Sequence, residues 1–375
     1  MSANVLQLLK TYRSNSKLIN EMAKTKRDEF VTYCCYLSGA SDGNNDMENI
    51  AEETIYLGLP KKQINWRSWK TVWKVAKLID EKGIDIIVCQ FRRTIPIGVY
   101  AALLSKRNPK VVGILHGIVS GKVGHLRKIH YWILFKYLSR LVSVSRYGIK
   151  DIARLNYPTR EGLIIAIQNG LDYTDILSVE RQQPETVICD SLKGKIIFGT
   201  VGRLSEVKNH RRLIHAFAKL TTENSNAGLV IVGVGPLMDS LQILVRKLGI
   251  ENEVVFTGFR TDVPKLLQAM DVYVMPSLRE GLPLALMEAM AAGLPVITSN
   301  HSGMEEVAGH CGGAKLVNPE SVDDIYRAMR EMYQTGEQQR RAMGEQAKNR
   351  ALNQFSCERM VAEYQAMYRN VLGKA

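Results

Sequence analysis

Lys195 to Leu220 reads "KIIFGTVGRLSEVKNHRRLIHAFAKL". Its first part is a short apolar run that ends at Gly202. Its last part, from His210, places Leu213, Ile214, Phe217 and Leu220 on one helical face. The unit of construction is therefore strand, glycine turn, helix. It recurs downstream. "GLVIVGVG", "EVVFTG", "DVYVMPS" and "LPVITS" are further apolar runs, and amphipathic stretches separate them. In "PLMDSLQILVRKLGI", Leu237, Leu241, Leu244, Val245 and Leu248 share one face; Pro236 suits the first helical position and Gly249 the stop. Nearly all-apolar strands alternating with helices predict a parallel sheet covered on both faces.

The first half repeats the theme with "NVLQLL", "FVTYCCYL", "DIIVCQ", "KVVGILHG", "RLVSVS" and "GLIIAIQNG" as strands. At 375 residues the chain fits two domains of roughly 150 each. The expectation is an α/β protein of two doubly wound, Rossmann-like domains, residues 1–175 and 190–356. The polar stretch from Asp172 to Lys195 reads as the boundary. A last amphipathic helix within 357–375 is expected to pack back on the first domain. "HLRKIHYWILFKYLSR" reads as mostly core helix, with peripheral membrane contact as the minority reading.

A hydrophobic fraction of 46% argues against disorder. The net charge of +13 is unevenly placed: residues 1–175 carry 27 Lys and Arg against 15 Asp and Glu, while residues 176–375 carry 23 against 22. A basic half suits an anionic partner, such as a membrane surface or a phosphorylated substrate; otherwise it serves solubility. It shows no nucleic-acid recognition module. The six cysteines form no C-x-x-C pair and no regular framework, which argues against a zinc site and a disulfide scaffold and fits a reducing, cytoplasmic location. The N-terminus has no signal pattern, and no apolar run approaches the ~20 residues of a membrane span.

Ligands of open parallel sheets bind beyond the carboxyl ends of the strands. After "IIFGTV" come Gly202, Arg203 and Lys208, with Asn209 as the expected N-cap of the next helix. Two cations and a helix N-terminus make a phosphate site, or else two solvated charges. Gly233-x-Gly235 lacks the third glycine of a dinucleotide fingerprint, Met238 standing there, and reads either as a weak form of it or as a tight turn into a helix. Phe259 and Arg260 follow the next strand and could flank a nucleobase or be loop residues. In "REGLPLALMEAMAAGLPVI", Pro283 opens a helix, Gly293 stops it, and seven residues separate Glu280 from Glu288. The helix tip attracts an anion, which Glu280 cannot bind. Glu280 is left to reach hydroxyls. Glu288, inside an apolar helix, needs donors, and a ribose diol supplies two. Alternatively, Glu280 is a surface residue and Glu288 pairs within the protein.

The ordered set "GTVGRLSEVKNH", "VGVGPL", "FTGFRTDV" and "REGLPLALMEAMAAGLPVI" resembles the retaining glycosyltransferases of family 4, and among them the bacterial lipopolysaccharide-core and polysaccharide enzymes. The resemblance runs from about Lys195 to Gly309, and "IQNGLD" is similar to the segment that leads into that family's second domain. It implies a GT-B fold, with two domains facing each other across a cleft, and a nucleotide-diphosphate sugar as donor. Arg203 and Lys208 would then hold the diphosphate, with Gly202 beside them. Phe259 and Arg260 would lie on the base side. Glu288 would hold the ribose and Glu280 the transferred sugar. Gly281, Leu282 and Pro283 would meet the sugar and diphosphate through their backbone. His116, after "VVGIL", would approach the donor sugar from the first domain. No metal or other cofactor is implied, and no Asp-x-Asp occurs in the chain.

The sequence departs from the family in "KTYRSNSK", where a Gly-Gly loop is usual; Ser14, Asn15 and Ser16 stand there instead. It departs again in "HSGMEEV", where Ser302 and Glu305 read as a capping box. Arg13, Lys17, Arg92, Arg93 and Lys122 follow first-domain strands and are expected to meet a phosphorylated or membrane-borne acceptor. The expected partners are thus a nucleotide sugar, with a lean to UDP, a glycan or glycolipid acceptor, and the anionic face of an inner membrane. The rival readings are a GT-B nucleotide-sugar epimerase or phosphorylase, and a non-catalytic binding protein of a glycan machinery.

Overall fold

The structure is a computed structural model. It describes residues 2–11, 17–25, 28–65, 67–117, 125–154, 160–223, 226–309 and 311–374, with only the backbone of residues 17, 61, 125–128, 184 and 185. The chain divides into two compact units, Met1–Leu171 with Cys357–Ala375, and Asp172–Ser356.

The first unit holds a seven-stranded sheet made of β1 (Ala3–Thr11), β2 (Phe30–Ser38), β3 (Glu53–Tyr56), β4 (Ile86–Cys89), β5 (Lys110–Leu115), β6 (Arg140–Ser143) and β7 (Ile164–Ala166). The order is β3-β2-β1-β4-β5-β6-β7 and every pairing is parallel. Helices Trp69–Glu81, Ile95–Leu104 and His125–Tyr137 share one core against the sheet, and a smaller cluster under helix Lys17–Ala23 covers the other side. The last helix, Cys357–Val371, packs on helix Lys17–Ala23. Tyr368 meets Phe30 edge-on at 5.5 Å between centroids, and Arg359 Nη2 donates to the Gln168 carbonyl at 2.7 Å.

The second unit holds a six-stranded sheet: β8 (Ile196–Val201), β9 (Ala227–Val232), β10 (Val254–Gly258), β11 (Val272–Met275), β12 (Val296–Ser299) and β13 (Ala314–Val317). Its order is β10-β9-β8-β11-β12-β13, again parallel throughout. Leu213, Ile214, Phe217 and Leu220 are all fully buried, as the opening stretch predicted.

Three expectations need correction. Asp172 to Lys195 is no free linker but part of the second unit: Arg181 Nη2 pairs with Asp271 at 2.5 Å, and the Gln182 N–H donates to the Gln268 carbonyl at 3.1 Å. Strands β3 and β13 escape the apolar-run reading. Both lie at sheet edges and are mostly half-exposed, so their sequences lack such a run. Helix His125–Tyr137 is not mostly core. Leu134 and Phe135 are buried, while Ile129, Trp132, Ile133 and Tyr137 face solvent.

Candidate functional site

The second sheet reverses its order between β8 and β11, and a crevice opens at the carboxyl ends of two strands that diverge in this way. The loops after these strands carry Gly202 to Lys208 and Pro276 to Pro283. They are tied together: the Leu278 N–H donates to the Val207 carbonyl at 2.8 Å, and Asn209 Nδ2 donates to the carbonyls of Pro276 and Pro319 at 2.9 and 2.7 Å. Asn209 is thus a loop tie in the left-handed region (φ 61°) and not a side-chain N-cap.

Lys208 and Glu280 meet here. Nζ lies 2.8 Å from Oε1, and each side chain keeps 20% of its surface in solvent. A Cβ at Gly202 would stand against the Lys208 ammonium, so that glycine leaves the cation open to a ligand. Gly233 and Gly235 serve packing: a side chain at either would overlap the backbone of Gly202 or of Leu204, and the Gly202 N–H donates to the Val232 carbonyl at 2.9 Å. The missing third glycine is explained, because the motif seats one loop on another.

Glu280 is held from behind. Its N–H donates to Ser302 Oγ at 3.3 Å, and its carbonyl accepts from the Gly303 N–H at 3.1 Å. Gly303 is obligatory, since a Cβ there would overlap the Gly281 carbonyl. Ser302 therefore does not form a capping box. It lies inside helix Ser302–Ala308 with φ 58°, His301 is the N-cap, and the serine hydroxyl serves Glu280. Gly281 is half-buried and Leu282 buried; Pro283 is the N-cap of helix Leu284–Ala291, not its first residue. The first amides of that helix lack intrahelical partners, and the loop that carries Glu280 leads directly into them.

Glu288 sits in the second turn of this helix and is half-buried, less enclosed than the apolar sequence around it suggests. Tyr273 of β11, which the sequence reading did not single out, lies within electrostatic reach of both carboxylates. It is fully buried, and its hydroxyl donates to the Val201 carbonyl at 3.3 Å. Burial pushes its pKa well above the usual range, and the charges of Glu288 and Glu280 raise it further. The signal lay in "DVYVMPS", where a polar aromatic interrupts an apolar strand beside the switch point.

Arg203 is exposed and holds no ion pair among the described residues. Phe259 is 74% exposed. Arg260 is engaged: Nε and Nη2 donate to the two Asp262 carboxylate oxygens at 2.7 and 2.6 Å, and Nη2 reaches the Val187 carbonyl at 3.4 Å. Its guanidinium braces the loop that carries Phe259.

In the first unit, His116 follows β5, next to the switch between β1 and β4. His116 Nε2 lies 2.8 Å from Gln90 Oε1, and Gln90 Nε2 donates to Gln7 Oε1 at 2.7 Å. An amide oxygen only accepts, so this chain places the proton on Nε2 and leaves Nδ1 as an acceptor. Burial pushes the His116 pKa down to about 4. Phe91 packs on the ring at 4.9 Å between centroids, and Arg92 and Arg93 beside it are exposed. Arg13, Ser14, Asn15, Ser16, Lys122 and the Lys17 side chain lie outside the described residues. Among the described residues, no group of three His, Cys, Asp or Glu side chains is arranged to hold a metal ion, and no helix is long and apolar enough to cross a membrane.

Two Rossmann-like domains with this sheet order are the architecture of glycosyltransferases of the GT-B class. The chain belongs to the glycosyltransferases: residues 188–350 match the family described as glycosyl transferases group 1, and residues 17–175 match Glycosyltransferase Family 4. It is 30% identical to an uncharacterized glycosyltransferase of Methanocaldococcus jannaschii over 75% of either chain. It is 28% identical, over 80% of this chain and 79% of the relative, to the Escherichia coli UDP-Gal:alpha-D-GlcNAc-diphosphoundecaprenol alpha-1,3-galactosyltransferase. The crystal structure of Anabaena HepE with UDP and glucose has the same fold, with a TM-score of 0.80 at 20% identity, covering 97% of this chain and 98% of that one.

Proposed function

We propose that this glycosyltransferase is retaining, and that it moves a sugar from a UDP-sugar to a lipopolysaccharide-core or other cell-surface glycan acceptor. The observation that carries the reading is the Lys208–Glu280 pair at the switch point, beside an open helix N-terminus. A diphosphate takes Lys208, Arg203 and the helix amides as partners, while a sugar hydroxyl takes Glu280. Glu288 binds the ribose, and Phe259 lies along the base.

In the reaction the bond from the anomeric carbon to the diphosphate breaks, and the acceptor oxygen bonds to that carbon on the same face. The acceptor's proton goes to the leaving phosphate. Positive charge grows on the sugar and negative charge on the diphosphate. Arg203, Lys208 and the helix tip stabilise the latter with groups already in place, so no metal is required. His116, neutral and with Nδ1 open, accepts from a hydroxyl of the transferred sugar. The acceptor meets the basic first domain at Arg92 and Arg93, at the cytoplasmic face of an anionic membrane. The named activity of the Escherichia coli relative, on a lipid-linked acceptor with UDP-Gal, supports donor and acceptor class alike. Cysteines that are all unpaired support a reducing compartment.

The test is calorimetric titration of UDP and GDP into the wild type and Glu288→Ala, with EDTA present. Tight UDP binding that the substitution weakens supports the reading. If neither nucleotide binds, the glutamate pair is structural and the donor assignment fails.

A further inference from the structure

Helices Trp69–Glu81, Ile95–Leu104 and His125–Tyr137 lie side by side on the first sheet, and their inner residues share one core. Their outer side is apolar where it should be polar. Ile129, Trp132, Ile133 and Tyr137 are 54%, 38%, 41% and 49% exposed. Their spacing puts them on one helical face, the kind normally turned inward. Here the inner side is already filled by Leu134, Phe135 and Leu138. On the first of the three helices Trp69 is 67% and Trp73 51% exposed. The third helix is tied to the middle one. His130 Nε2 meets the Tyr100 hydroxyl at 3.1 Å, and Arg67, just before the first helix, acts electrostatically on His130.

The charge from the second helix onward is of one sign, while the first helix ends in Asp80 and Glu81, with Lys77 Nζ 3.3 Å from Glu81 Oε1. From Ile86 to Lys150 the chain carries twelve Lys and Arg and no Asp or Glu. Lys136 Nζ sits 3.9 Å from the centre of the Trp132 ring, and Lys77 Nζ 5.9 Å from that of Trp73. A lysine on an exposed tryptophan suits a boundary where the ring enters apolar material and the ammonium stays with anions. A second copy of the chain would set like charges against each other. An anionic bilayer satisfies both the apolar stripe and the cations.

We infer that the outer face of these three helices docks on an anionic lipid bilayer, with Trp132, Ile133 and Tyr137 at the headgroup–acyl boundary and Lys136 among the phosphates. The inference deepens the proposed function, since it rests on that reading for why a bilayer is nearby.

The test is flotation of the full chain with vesicles of phosphatidylcholine containing phosphatidylglycerol, and with phosphatidylcholine alone. The wild type is expected to float with the anionic vesicles, less so in high salt or on the neutral ones. The pair Trp132→Ala/Ile133→Ser is expected to lower partitioning roughly tenfold or more. Lys136→Glu, on the surface, is expected to lower it too and decides the matter if the double variant fails to fold. UDP titration into each variant keeps the two readings apart: UDP binding is expected unchanged, and its absence from the wild type would sink the donor assignment while leaving the docking face. A wild type that ignores anionic vesicles, or variants that float as well as it does, overturns the inference. So does sedimentation showing a dimer that the double variant abolishes while vesicles are ignored, which would assign the face to a second copy.

Discussion

Lys208 and Glu280 neutralise each other across the point where the second sheet reverses, Nζ to Oε1 at 2.8 Å. Each belongs to a different strand-end loop, and each is the partner the proposed donor would need at one of its two ends. A diphosphate that takes the ammonium releases the carboxylate towards the sugar. Under the proposed function, donor recognition is an exchange of partners in one pair, and the pair leaves neither half-buried charge uncompensated.

This exchange predicts opposite behaviour for its members. Lys208→Ala is expected to weaken UDP binding and lower turnover ~10²–10³-fold, as loss of a preorganised charge does. Glu280→Gln removes the competitor for Lys208. It is expected to bind UDP at least as tightly as the wild type while losing turnover. Calorimetry with UDP beside steady-state rates checks both. Weaker UDP binding in Glu280→Gln would refute the exchange.

Gly233→Ala is expected to destabilise the second unit by roughly 2 kcal/mol or more, because the new methyl would overlap the Gly202 carbonyl. The Lys208 loop must shift with it, so UDP affinity should fall in the fraction that remains folded. Thermal unfolding followed with and without UDP measures both effects.

His210 is buried and lies close to the Lys208 charge. Burial first, and that charge second, lower its pKa from 6.5 to about 4. Between these values the unfolded chain holds more protons than the folded one. Its contribution to stability is therefore complete above pH 6.5 and is lost as pH falls towards 4. The loss is on the order of 1–3 kcal/mol. His116 acts in the same direction. His210→Gln should flatten the dependence of melting temperature on pH across that window.

Gln90 offers His116 an oxygen that can only accept. Gln90→Glu keeps the acceptor but adds a charge, which favours the imidazolium. The wild-type rate is expected to show no His116 titration between pH 5 and 8, its pKa lying near 4. The variant should gain an inflection in that range. A flat profile in both would separate His116 from the reaction.

Arg92→Ala/Arg93→Ala is expected to raise the KM for a phosphorylated acceptor and leave UDP binding unchanged. Initial rates at varied acceptor test this, with a dephosphorylated acceptor as control.

The parallel sheets and most of the crevice were legible in the chain, because buried strands leave unbroken apolar runs and strand ends carry short, ordered motifs. Glu280, Lys208 and Gly202 came from that local pattern. What the sequence hid depends on partners remote along the chain. Nothing near Arg260 says that the Val187 carbonyl, 73 residues earlier, takes its Nη2 at 3.4 Å. Ser302 followed by Glu305 looks like a helix cap until the Glu280 amide, 22 residues earlier, is seen to claim the hydroxyl. Tyr273 lies midway along an apolar strand and owes its place beside the carboxylates to sheet order alone. The aromatic face of helix His125–Tyr137 was masked because residues on both sides of that helix are apolar, so composition could not say which side the core had taken.

The Cys357 N–H donates to the Leu171 carbonyl at 3.0 Å, which brings the two exits to the second unit together. The second unit is therefore an uninterrupted insertion in the first, and the order of synthesis matters. Residues 172–356 leave the ribosome as one complete segment and can fold at once. The first unit begins earlier but finishes last, waiting for its closing helix from Cys357 onward. A chain stopped just before that helix would release a finished second unit joined to an unfinished neighbour, with the apolar ground beneath Tyr368 and Phe30 left bare.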